Sequence, residues 1–92
     1  MNKVNEEKQK SLKNVITVRK KEAINRLALA SNKIKECEEI VNFSDFNSDA
    51  DIAHVLFNIE VAIRTVKSVR KLIRDCEVAN SKVKLLQSLT EE

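Results

Sequence analysis

The chain has 92 residues, no Gly or Pro, three aromatic residues, 34% charged residues and a formal net charge of +3. Gly and Pro are the residues that punctuate turns and strands, so their absence excludes a β-rich fold and points to a single all-α domain over residues 1–92, with few connections. Paired carboxylates at catalytic spacing, glycine-rich phosphate loops and nucleophile constellations are all missing, so neither an enzyme nor a bound cofactor is expected. No apolar run approaches the ~20 residues of a membrane span, and MNKVNEEKQKS has no apolar core of the signal-peptide kind, so a cytoplasmic protein is expected.

Residues 1–10 carry only Met1 and Val4 as apolar side chains and are expected to be loosely ordered. From Ser11, Leu12, Ile16, Ala23, Leu27, Ala30, Ile34, Cys37 and Val41 step by three and four, which predicts a helix over 11–41. Val15, Ile24 and Ala28 widen its stripe. Residues 42–50 form a polar turn. Asn42 is placed to end the first helix in the left-handed conformation, and Ser48 or Asp49 to cap the second. Phe43 and Phe46 are expected to plug the end of the helix pair.

The second helix is predicted over 51–89. Ile52, Ile59, Val66 and Ile73 recur every seven residues, with Val55, Ala62, Val69, Cys76 and Val83 at the complementary positions, the pattern of a helix packing along a seam. Leu56 and Ile63 add a second flank, wider than a two-stranded seam needs. One helix against one other is a thin core. A long antiparallel hairpin is therefore expected to assemble into an oligomeric helical bundle, a dimer or larger, with Ile52, Leu56, Ile59, Ile63, Val66 and Ile73 at the interface.

Cys37 and Cys76 have neither CxxC spacing nor histidine neighbours and read as two small buried thiols. His54, the lone histidine, reads as a surface or capping residue; no metal site is expected.

Charge is unevenly spread. Residues 1–35 carry ten Lys/Arg against three acids, residues 36–63 seven acids and no Lys or Arg, and residues 64–84 seven Lys/Arg against two acids. With a turn near residue 46, Arg19, Lys20 and Arg26 lie near the level of Lys67, Arg70 and Arg74, which makes one end basic and the other acidic. Two uses of this polarity stand open. The acidic turn of one protomer can orient against the basic end of another. The arginines can instead hold an anionic ligand between protomers, because guanidinium groups facing a seam need a partner and match phosphate oxygens. Asn25 and Thr65 stand at nearly matching heights and could add neutral hydrogen bonds. Nucleic acid is not expected, since no aromatics interleave the cations and the acidic middle third would repel a duplex.

At Leu56, Ile59, Glu60 and Ala62 the chain reads L-x-x-I-E-x-A after an Asp/Ser-rich turn. This stretch, within Lys33 to Ile73, resembles the helical-hairpin sponges with which phages sequester cyclic nucleotide immune signals, the anti-CBASS and anti-Thoeris type. The sequence departs from that family after the motif, where Ile63, Arg64, Thr65, Val66 and Lys67 replace an Ala- and Asn-rich continuation. The resemblance implies an oligomer in the host-cell cytoplasm that binds a cyclic dinucleotide or an ADP-ribose-derived signal between protomers without altering it. The competing expectation is a coiled-coil adaptor, inhibitor or chaperone with no small-molecule ligand, whose apolar flank receives a helix from another protein. It requires an exposed Leu56 and Ile63 face in the isolated chain.

Overall fold

The computed structural model describes residues 2–91. Two α-helices, α1 over Asn2–Phe43 and α2 over Asp49–Glu91, fold back on each other as an antiparallel hairpin. No strand occurs among the described residues, and no described helix is long and apolar enough to cross a membrane. The chain divides into two compact units: a turn-side unit of Ile24–Val69, and a terminal unit of residues 2–23 and 70–91.

Helix α1 begins at Asn2 rather than at Ser11, so residues 2–10 are helical; Met1 lies outside the described residues. The segment is rich in Lys, Glu and Gln, good helix formers, and Asn5 and Gln9 continue the half-buried period of Leu12 and Ile16. Polar side chains at seam spacing extend the helix there although apolar ones are missing.

The turn is held by its own side chains. Ser44 continues α1 by donating its N–H to the Ile40 carbonyl at 2.8 Å. Its hydroxyl donates to Asp51 Oδ2 at 2.7 Å and accepts the Phe46 N–H at 3.0 Å, which ties the end of α1 to the first turn of α2. Asp45 accepts the Asn47 N–H at 3.0 Å, an Asx turn. Ser48 Oγ accepts the Ala50 N–H at 3.2 Å and caps α2, whose first turn carries Asp49 and Asp51. Two expectations for this segment fail. The left-handed residue is Phe46, with φ 56°, and Asn42 stays inside the helix. Phe43 and Phe46 do not plug the helix pair, being 83% and 43% exposed. Ser44 and Asp45 satisfy the turn's backbone groups, so no aromatic burial is needed to hold it.

The seam between the helices is built from small side chains. In the turn-side unit it uses Ala30 and Cys37 of α1 against Asn58, Ala62 and Val69 of α2, all buried. In the terminal unit Leu72, Ala79 and Val83 are buried, with Leu12, Ile16 and Cys76 half-buried beside them. Cys37 Sγ donates to the Val55 carbonyl at 3.7 Å and Cys76 Sγ to the Ile16 carbonyl at 3.8 Å, contacts at the register a turn near residue 46 requires. Both thiols are free; Cys37 is buried and Cys76 half-buried.

Half of the expected α2 seam is in place: Val55, Ala62, Val69, Cys76 and Val83. The other half is displaced by one residue. Asn58, Thr65, Leu72 and Ala79 turn inward, while Ile52, Ile59, Val66 and Ile73 are exposed. Small side chains let two helices pack closely, and the bulky β-branched set is left on the flank. Thr65 fits the interior because its hydroxyl donates to the Val61 carbonyl of its own helix at 2.8 Å, which satisfies it within α2.

Candidate functional site: an apolar face and a divided basic band

The displaced heptad leaves a large apolar surface on the turn-side unit. Ile34 of α1 lines a shallow groove of about 440 Å³ with Ile59, Ala62, Ile63, Val66 and Lys67 of α2, so the outer flanks of the two helices share one face. Leu27 and Val41 lie seven residues to either side of Ile34, and Ile52 and Leu56 lie seven before Ile59 and Ile63, which continues the face by helical periodicity. Apart from the buried Ala62, these eight aliphatics are exposed, Leu56 at 61% and Ile63 at 49%. Ile73, the remaining residue expected at an interface, is also exposed but belongs to the terminal unit.

The residues expected to bind an anion are divided between the units. Arg19, Lys20, Arg70 and Arg74 belong to the terminal unit, and Asn25, Arg26, Thr65 and Lys67 to the turn-side unit. Arg19 is half-buried with acids within reach: its guanidinium lies 3.3 Å from Glu22 Oε2 and 3.7 Å from Asp75 Oδ2. Glu60 pairs with Arg64 one turn along α2. Lys20 lines a shallow groove with Ile16, Ile73, Cys76, Glu77 and Asn80. Arg26 is half-buried and Asn25 exposed. The Thr65 hydroxyl is used within its own helix, and Lys67 borders the apolar groove. Arg70 and Arg74 are exposed.

Among the described residues, no group of three or more His, Cys, Asp or Glu is gathered in a way that could hold a metal ion. His54 is exposed near the start of α2. Three shallow grooves each hold one of the expected cations, Arg19, Lys20 and Lys67.

Sequence reasoning did not single out Leu27, Ile34 and Val41 as an outward flank, reading them as part of the stripe that α1 turns to α2. The signal was present: they repeat every seven residues in step with Ile52, Ile59 and Val66, while the smaller Ala23, Ala30 and Cys37 repeat beside them. No family model matches the chain, and no curated protein or solved structure does so.

Proposed function

We propose that this protein is a non-enzymatic helical interaction module, which works by packing a further helical surface against the exposed face of its turn-side unit. The observation that carries this reading is the outward heptad. The turn-side unit fills its own seam with Ala, Cys, Asn, Thr and Val, and keeps its larger aliphatics for a surface where water leaves them at a cost of about 25 cal/mol per Å². A photo-crosslinking amino acid placed at Ile63, with Ser81 of the terminal unit as the control position, tests it. The expected result is crosslinking to a polypeptide from position 63 and little from 81. Equal or absent crosslinking at both would overturn the reading.

A second reading is sequestration of an anionic nucleotide-type signal between protomers, in the manner of a phage anti-defence sponge. Arg70 and Arg74 favour it, since both are exposed, stand one helical turn apart and make no ion pair with a described residue. Native mass spectrometry with cyclic dinucleotides and ADP-ribose derivatives tests it. A fixed number of bound nucleotides per oligomer, lost on Arg70→Ala/Arg74→Ala, is expected. An oligomer that takes up none of them removes this reading and leaves the first untouched.

A further inference from the structure

The interaction reading leaves the occupant of the apolar face open, and the charge of the turn-side unit narrows it. Residues 36–56, the half nearer the turn, hold six acids and no Lys or Arg; residues 24–35 and 57–69, the half away from it, hold five cations and one acid, Glu60. One ion pair crosses that boundary within a helix, Lys33 to Glu36, while Glu60 pairs with Arg64 inside the half away from the turn. Glu38 and Glu39 on one side and Lys35 and Lys67 on the other make no ion pair with a described residue. The apolar face therefore lies between an acidic end and a basic end.

A partner of uniform charge would match one end and be repelled by the other. A second copy turned by a twofold axis near the level of Ile34 and Ile59 matches both, because each acidic end then lies over the partner's basic end. A parallel arrangement of two copies would set like ends together. The area also fits: eight aliphatics, each about half exposed, present on the order of 700 Å² per copy, against the ~800 Å² that each side of a standard interface buries. We infer that the occupant of this face is a second copy of the chain, docked antiparallel through the turn-side unit as an isologous dimer. The inference rests on the interaction reading and adds to it both the partner and its orientation.

The test uses sedimentation equilibrium of the full chain with three variants, each checked for helicity by circular dichroism. Wild-type protein is expected to dimerise, and Ile63→Glu, which puts a charge at an exposed position on the face, to be monomeric with its helices intact. Arg64→Glu/Lys67→Glu leaves the end away from the turn with three cations and three acids and so cancels its positive charge, and Glu38→Lys/Glu39→Lys removes most of the acidic patch of α1. Each alone is expected to associate about tenfold or more weakly than wild type, and an equimolar mixture to regain association as a heterodimer. A wild-type chain that stays monomeric at about 100 µM would overturn the inference while leaving a foreign helix as the occupant. A dimer that Ile63→Glu does not disturb would overturn both the inference and the interaction reading. A mixture that associates no better than its components would overturn the antiparallel orientation.

Discussion

Asn58 is buried in the seam at a cost to the hairpin. It is 1% exposed, and its Nδ2 has no hydrogen-bond partner, whereas Thr65, seven residues along the same seam, satisfies its hydroxyl within α2. A buried donor left unmade costs about 1–3 kcal/mol. Asn58→Ala removes the donor without adding bulk at a seam that favours small side chains, so it is expected to raise hairpin stability by about 1 kcal/mol, read as a higher urea midpoint with an unchanged slope. A lower midpoint would mean that Nδ2 is hydrogen-bonded in solution. A polar residue at such a position commonly fixes the register of paired helices, and the gain should come with a less uniquely packed hairpin. Its burial was not legible from the sequence. Asn58 stands between Phe57 and Ile59, and on hydrophobicity alone Ile59 is the better seam residue; only side-chain volume separates the two registers, which share Val55, Ala62 and Val69.

At the scale of the element, the turn makes two opposing contributions to stability. Ser48 caps α2 through its contact with the Ala50 N–H, and Ser48→Ala is expected to lower stability by about 1 kcal/mol in the same denaturation experiment. Phe46 sits at φ 56°, a region that costs a bulky L-residue roughly 1–2 kcal/mol and that Asn tolerates better. Phe46→Asn is therefore expected to be neutral or stabilising by up to about 1 kcal/mol, although an aromatic is lost; a loss above 1 kcal/mol would mean that the ring is packed in solution. The cap was legible because Ser, Asp and Asn cluster where the apolar period fails. The left-handed residue was not, since the hydrogen bonds that the Phe46 and Asn47 N–H groups donate to the Ser44 and Asp45 side chains, and no preference of Phe itself, set that conformation. Helix type and the approximate turn were legible from the missing Gly and Pro and from three-four periodicity. The start of α1 was not, because residues 2–10 follow the seam spacing with Asn5 and Gln9, where an apolar reading finds nothing.

At the scale of the whole molecule, net charge conceals the arrangement that matters: +3 overall is the remainder of strongly basic and strongly acidic segments. This division was readable by counting residues; which flank turns outward became clear only once the small-residue seam was known. The two together make the salt dependence of self-association diagnostic of its geometry. Screening at about 1 M salt reduces the Debye length to ~3 Å, from ~10 Å at 0.1 M, and weakens contacts between exposed charges whichever their sign. In the antiparallel dimer, acidic and basic ends attract, so the dissociation constant is expected to rise severalfold between about 0.05 and 1 M NaCl, with the aliphatic contact holding the remainder. In a parallel dimer the like ends repel, and the same salt would tighten association. Sedimentation equilibrium across that range reads the sign directly, and a constant that falls with salt would exclude the antiparallel arrangement while keeping Ile34, Ile59 and Ile63 at the interface.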